Sequence, residues 1–429
     1  MKTNNKKLAC VALAVYALIS APVSAQSLTD VVQSALTIYP GVLSAKAKTD
    51  AARSDIDRAR AAHFPQLSFG FARNKYSSGN LPSSMESNTR SPSARLNLWS
   101  GGRIEADAER AEALTHSSEF QEAYTRDEVA LLAAEAYINW ARALDMFDLA
   151  TKNYESHRVT LDDIRKIVQV DTGRRIDFEQ AQVRLDNAAL AKLQRETDLG
   201  QARQRLCRFW LAPLPPKPVG LQETMNPGGR LAHMPSSLDQ VMSSVADDLP
   251  AIAQQRAQVQ AAQGAVDMAR GQYWPTVDFT AARQLNLSGV APYKQDTFTQ
   301  VQLNMPLYNG GATSAQVQAA VNQLQAAQHG LDEARLLARE KASLAWQEWV
   351  AAQARAVQGA SQATTGDKVV EGYRLQFRLA RRQLLDLLNI QAEAFSYQSA
   401  AKTAFYDEQV ARARLLATTG HLAARFAAQ

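Results

Sequence analysis

Cysteine is almost missing: two in 429 residues. That excludes a disulfide framework and any four-cysteine metal site. Glycine (20) and proline (15) are too sparse for a collagen-like or low-complexity chain, and 46% hydrophobic residues are too many for a disordered one. The mean hydropathy of −0.29 argues against a bundle of membrane-spanning helices. Charge of one sign is lacking too. The formal net charge is +5, but Lys2, Lys6 and Lys7 lie in the first 25 residues without an acid, and the rest carries 44 basic against 42 acidic residues. No basic block is interleaved with aromatics, so nucleic-acid binding is not expected. Histidines 63, 116, 157, 233, 329 and 421 are scattered, with no H-E-x-x-H and no G-x-S-x-G anywhere. No catalytic constellation, metal site or cofactor is expected, and the chain does not read as an enzyme.

What is present begins with a leader. A basic start, an apolar stretch from Leu8 to Ile19 and the small-x-small site Val23-Ser24-Ala25 read as a signal peptide over 1–25. Cys10 sits at the start of the apolar stretch, where a lipid-acceptor cysteine is not expected. Cys207, the single thiol left after cleavage, is expected to be buried at a helix end.

The remainder is a duplication. Ser27-Leu28 returns as Ser237-Leu238, and Tyr39-Pro40 as Leu249-Pro250. Arg60-x-x-His63-Phe64-Pro65 returns as Arg270-x-x-Tyr273-Trp274-Pro275, and Leu98-Trp99-Ser100-Gly101-Gly102 as Leu307-Tyr308-Asn309-Gly310-Gly311. A first repeat over 26–212 and a second over 236–429 flank a Pro/Gly-rich linker, 213–235. Each copy reads as helix, strand, loop, strand, long helix, helix.

The strands are expected at about 66–74, 92–99, 276–285 and 297–307. They alternate with period two: Leu67, Phe69 and Phe71 against Gln66, Ser68 and Gly70, and Val301 and Leu303 against Gln300 and Gln302. One apolar and one polar face on every strand is the pattern of a membrane β-barrel. Ser/Asn-rich segments, Lys75 to Ser91 and Asn286 to Asp296, read as exposed loops. At the opposite strand ends stand Phe64, Trp99, Trp274 and Tyr308, the expected membrane-interface aromatics. After each Gly-Gly pair runs a breaker-poor helical pattern, 103–170 and 312–379, roughly 100 Å long at 1.5 Å per residue. Val317, Val321, Leu324 and Leu331 follow a coiled-coil spacing. Partner helices at 176–210 and 384–420 complete two hairpins. Four strands cannot close a barrel, and open edges in lipid leave backbone groups unpaired, so copies must assemble: two would give eight strands, three would give twelve.

In this layout the chain resembles the TolC family of outer-membrane efflux and secretion ducts. The resemblance implies a mainly α protein with a membrane β-barrel: a homotrimer whose four strands per protomer form one 12-stranded barrel, continued by a long α-helical coiled-coil tunnel. It implies a Gram-negative outer membrane in contact with lipid, a periplasmic adaptor (membrane fusion protein), and an inner-membrane ABC or proton-driven pump. The family closes its tunnel with a Gly-x-Arg-x-x-x-Asp-x-x-Asp pattern. By that resemblance Arg382 matches the gate arginine, with Arg381 its rival, and Asp386 the first acidic ring. Asn389 replaces the second aspartate, Ala380 the glycine, and Phe377 stands where a gate tyrosine is common; Asp177 is the arginine's partner in the first copy. The function implied is an exit duct for type I protein secretion or small-molecule efflux. The lack of a terminal lipid-acceptor motif leans toward secretion. The alternative is a periplasmic coiled-coil adaptor, expected to carry one hairpin and no repeated strand pairs.

Overall fold

The structure, a computed structural model, describes residues 27–76, 85–211, 218, 234–245, 249–287, 295–379, 381–420 and 422–427. The expected leader at 1–25, nearly all of the 213–235 linker, and Ala380 lie outside the described residues. In chain order the elements are α1 (Leu28–Ile38), α2 (Pro40–Arg60), β1 (Gln66–Tyr76), β2 (Met85–Trp99), α3 (Arg103–Val170), α4 (Arg175–Leu206), α5 (Leu238–Ser244), α6 (Pro250–Arg270), β3 (Thr276–Leu287), β4 (Gln295–Asn304), α7 (Ala312–Arg378), α8 (Leu384–Thr418) and α9 (Leu422–Ala427).

The repeated dipeptides turn out to be helix starts. Ser27 Oγ accepts from the Asp30 N–H at 3.3 Å while the Asp30 carboxylate accepts from the Ser27 N–H at 2.8 Å, a capping box that opens α1. Ser237 caps α5 in the same way, accepting from the Gln240 N–H at 3.2 Å. Pro40 and Pro250 then open α2 and α6, where a missing N–H costs nothing. These short helices α1 and α5 are absent from the sequence expectation, which ran straight to the longer helices.

Several expected boundaries move. β2 begins at Met85 rather than 92, and β1 reaches Tyr76, so both strands run into the segment expected to be loop. β4 spans Gln295–Asn304 instead of 297–307; Pro306, which has no N–H to give the ladder, follows closely. α4 ends at Leu206, where Cys207 forms the C-cap. Cys207 is exposed, contrary to expectation, because the last buried position of that helix is its neighbour Leu206.

The chain divides into two compact units. The first comprises residues up to 43, 125–246 and 339 onward. Its main core joins Leu28, Val31, Val32 and Ala35 of α1 to Ala133, Tyr137, Ile138 and Trp140 of α3, with Val410 and Leu416 of α8 and Phe426 of α9. Each of the large side chains fully buried there contributes about 1.5–3 kcal/mol. Tyr137 and Trp140 meet edge to face at 5.4 Å, and Tyr39 stacks on Phe209 at 5.3 Å. A smaller cluster sets Val241 of α5 against Ala342, Ala345 and Trp349 of α7 and Leu415 of α8. The alanines at these contacts let helices approach closely.

The second unit comprises 44–124 and 247–338. Val266 and Ala269 of α6 cluster with Ala320 of α7, flanked by Val317, Val321 and Leu324, three of the four expected seam positions. Thr115 Oγ1 of α3 donates to the Ala52 carbonyl at 3.0 Å, and Thr49 Oγ1 of α2 donates to the Ser118 carbonyl at 3.2 Å. The unit also holds one antiparallel four-stranded sheet in the order β1-β2-β3-β4. Two helical hairpins and a shared sheet are not the single inserted hairpin of an adaptor. Among the described residues no helix is long and apolar enough to cross a membrane.

Candidate functional site: the two sheet faces and the hairpin tips

The register carries side-chain parity across all four strands. Gln66, Arg95, Thr280 and Gln300 align in one cross-strand row, and Asn97, Asp278 and Gln302 in the next, all on one face. On the other face Leu96 aligns with Phe279 and Val301, and Leu67 with Ala94 and Ala281. This apolar face is open in the protomer; Leu67 is 82% and Phe69 69% exposed. The polar face is a connected surface. Arg95 Nη2 donates to Asp278 Oδ2 and Asn97 Nδ2 to Asp278 Oδ1, both at 2.9 Å, while the Ser68 and Ser93 hydroxyls share a 2.7 Å hydrogen bond.

The strand ends are shaped by glycine and a bulge. The register slips between Asn97 and Trp99, so that Trp99 pairs with Val277. That shift moves Trp99 from the polar to the apolar parity, which alternation alone does not predict. Trp99 then meets Trp274 edge to face at 6.4 Å. Gly101 (φ +66°) is packed beneath: a Cβ there would stand 2.5 Å from Trp274 Cβ and 2.9 Å from the Gly271 carbonyl. Phe64, Trp99, Trp274 and Tyr308 are all exposed.

The remaining expected site residues lie in the first unit, where α3 turns into α4 and α7 into α8. Asp171 caps a short turn, Thr172–Arg174, and α4 starts at Arg175 with Asp177 in its first turn. Arg174 donates to Asp177 Oδ2 through Nε (2.8 Å) and Nη2 (2.7 Å). At the other tip Asp386 occupies the first turn of α8, favourable for a carboxylate beside free N–H groups. Arg382 Nη1 lies 3.6 Å from Asp386 Oδ2, its Nε donates to Gln376 Oε1 at 3.1 Å, and its guanidinium stands 4.1 Å from the Tyr373 ring centroid. Both tips line one open cavity of about 1000 Å³, with Asp177, Arg174, Phe377 and Arg382 on its wall. Beneath it Leu161, Ile164, Ala181, Leu384 and Leu388 form a small core.

Within the protomer the side-chain partners of the expected site residues are these. Within the protomer Asp177 pairs with Arg174, an i,i+3 pair in the first turn of α4. The aromatic under Arg382 is Tyr373, one turn before Phe377, while Phe377 packs on the apolar core. Asn389 accepts from Arg184 Nη2 at 3.1 Å. Arg174, Arg184, Tyr373 and Gln376 escaped the sequence reading, although Arg174 precedes Asp177 much as Arg382 precedes Asp386.

Residues 31–210 match the family described as outer membrane efflux protein. The chain is 26% identical over 374 residues to outer membrane efflux protein BepC of Brucella suis biovar 1 (strain 1330), covering 85% of this chain and 79% of that protein. Its fold is that of solved outer-membrane channels. CusC superposes with a TM-score of 0.80 at 15% identity, over 92% of each chain. The open state of the Neisseria gonorrhoeae MtrE channel superposes with a TM-score of 0.77 at 17% identity, over 92% of this chain and 89% of that one. With its repeated strand pairs, polar and apolar sheet faces and paired long hairpins, this chain has the fold of outer-membrane channels and, over residues 31–210, is similar to the outer membrane efflux proteins.

Proposed function

We propose that the protein is the passive exit duct of a tripartite export system. It works as a homotrimer with one 12-stranded barrel, docked to a periplasmic adaptor and served by an inner-membrane ABC or proton-driven pump that supplies the energy and selects the cargo, a secreted protein or small molecules. One observation carries the reading: among the described residues the sheet ends on β1 and β4, each paired on one side, with an apolar face that lipid suits and a polar face that water suits. Backbone edges in lipid need partners, and another copy of the chain offers them.

The duplication supplies the register. β2 and β3 belong to different repeats, so their pairing serves as the template for β4 against β1 of the next copy. Carried over by the repeat offset, Ala94 opposite Ala281 becomes Leu303 opposite Phe71, and Ser93 opposite Ala282 becomes Gln302 opposite Ala72. Apolar meets apolar and the polar face stays continuous. In a Cys207→Ser background, the pair Ala72→Cys and Gln302→Cys is expected to give a covalently linked trimer on mild oxidation in the membrane. The displaced pair Ser68→Cys and Gln302→Cys is expected to give none. Linked dimers as the end product, or equal linking of both pairs, would refute the trimer or the register.

Within the same reading, Arg382 and Asp386, with Tyr373 and Gln376, latch one hairpin tip, and Arg174 and Asp177 the other. Asp386 and Asn389 face the permeation path, so one acidic ring remains where the family has two.

A further inference from the structure

We infer that His157 is an acid trigger of the duct: a proton on its buried imidazole parts the two hairpins behind their tips and opens the proposed channel. It rests on the proposed reading of these tips as the gate and names a regulator of that same site.

The ring stands in a polar layer next to the leucine core. Leu161 of α3, Ala181 of α4 and Leu388 of α8 meet in that core. His157 lies four residues before Leu161, Arg184 three after Ala181 and Gln391 three after Leu388. The helix faces that close the core therefore turn polar one turn farther from the tips. In this layer the first hairpin is tied to the second by hydrogen bonds. Gln391 Nε2 donates to Thr160 Oγ1 at 3.2 Å and to Ser156 Oγ at 3.4 Å. Arg374 Nη2 of α7 donates to Ser156 Oγ at 3.0 Å, and Arg184 Nη2 of α4 to Asn389 Oδ1 at 3.1 Å.

The surroundings suit a neutral ring. His157 is 4% exposed, and its Nδ1 is buried without a hydrogen-bond partner. From α4 the charge acting on it is the cation Arg184. α7 brings a second cation, Arg374, to the adjacent Ser156, and α8 offers the neutral Gln391 and Asn389 at this level. On α3 itself Glu155 and Arg158 pair with each other at 2.9 Å. Desolvation first, then Arg184, accordingly holds the imidazole below the ordinary histidine range.

A proton changes the balance. Nδ1–H becomes a buried donor without an acceptor, and a second positive charge stands beside Arg184. The conflict ends when the ring or the guanidinium reaches water. Either movement draws α3 or α4 away from α8, at the expense of the Gln391 or the Asn389 hydrogen bond. An open arrangement that hydrates the ring binds the proton more tightly than the closed one, so acid shifts the population toward open.

The test uses purified full-length channels in planar bilayers, titrated from about pH 7.5 to about pH 5, where ordinary carboxylates remain ionised. The open fraction of wild type is expected to rise at least about five-fold, and that of His157→Gln to stay flat. Should His157→Gln fail to assemble, Arg184→Gln carries the test: freed of the neighbouring cation, the imidazole takes its proton sooner, and the midpoint moves to higher pH. A flat wild type, a response retained in His157→Gln, or an unmoved midpoint in Arg184→Gln overturns the trigger while leaving the duct standing. Closing in acid would mean that Nδ1–H has reached Gln391 Oε1, itself buried without a partner, and overturns it too. No conducting channel at any pH overturns the duct and the trigger with it.

Discussion

Replacing Arg382 by Gln tests the latch at its centre. The arginine makes three contacts: the Tyr373 ring at 4.1 Å, Gln376 Oε1 at 3.1 Å and Asp386 Oδ2 at 3.6 Å. Its side chain is 37% and that of Asp386 43% exposed, so solvent screens the ion pair and it counts for at most a few tenths of a kcal/mol. The cation–π contact is worth about 0.5–1 kcal/mol and the hydrogen bond to a neutral amide about as much. The proposed latch therefore holds the α7–α8 tip by about 1–2 kcal/mol, a factor of roughly 5–30 in the local equilibrium. Purified Arg382→Gln channels in planar bilayers are expected to spend at least about five times longer in the high-conductance state. Arg381→Gln is expected to stay close to wild type, because the side-chain contacts gather on Arg382.

A double-mutant cycle with Tyr373→Leu separates the ring from the rest. If the ring is the arginine's partner, Tyr373→Leu opens wild-type channels and does little in the Arg382→Gln background, with a coupling of about 0.5–1 kcal/mol. Unchanged conductance in Arg382→Gln would refute the latch. Strict additivity would refute Tyr373 as its platform and return that role to Phe377.

The proposed acidic ring predicts two opposite shifts: Asp386→Asn should lower the cation preference of the open channel in salt-gradient reversal potentials. Asn389→Asp should raise it by less, since Arg184 already lies 3.1 Å from that side-chain oxygen and would neutralise part of the new charge. His157 is buried, and desolvation first, then the charge of Arg184, pushes its pKa below the ordinary 6.5. The folded protein thus resists protonation that the unfolded chain accepts, so this contribution to stability is present above about pH 6.5 and is lost as pH falls through the lowered value, by up to about 1.4 kcal/mol per pH unit. His157→Gln should flatten the acid side of the melting profile relative to wild type, and parallel profiles would count against it. The two Gly-Gly turns should differ under Gly→Ala. Gly101→Ala adds a Cβ 2.5 Å from Trp274 Cβ to the cost of a positive φ, whereas Gly310→Ala meets nothing within 4 Å. The first should cost about 2–3 kcal/mol or block assembly and the second about 1 kcal/mol, read as heat resistance of the assembled oligomer on gels.

What was legible in the amino acids follows from how far each signal reaches. Period-two alternation between Leu67 and Phe71 or Val301 and Leu303 exists because lipid and water claim opposite faces, so strand identity and parity are written in the residues. Beyond the apolar band both faces meet water, the alternation fades, and the β-paired residues from Met85 to Ser91 look like loop; hydrogen bonding across the hairpin holds them, which composition does not encode. Helix starts are local as well: Gly101-Gly102 and Gly310-Gly311 need positive φ and stand out, while Ser27 and Ser237 stand out as repeated residues and their capping role needs the backbone of the following turn. At the tips the side-chain partners are not written in the residues, for one physical reason. Alignment assigns Asp177 and Phe377 by position along the chain, but a helix end chooses partners by rotation about its axis. One turn separates Phe377, facing the Leu384 and Leu388 core, from Tyr373, facing Arg382, and the three-residue span of Arg174 to Asp177 satisfies that carboxylate before any residue of the other hairpin can. In the proposed gate such short local contacts are separate from the leucine core beneath, so one can be removed without the other. The core variant Leu388→Ala should therefore lower stability by about 2–4 kcal/mol while leaving the open-state cation preference unchanged, the reverse of Asp386→Asn.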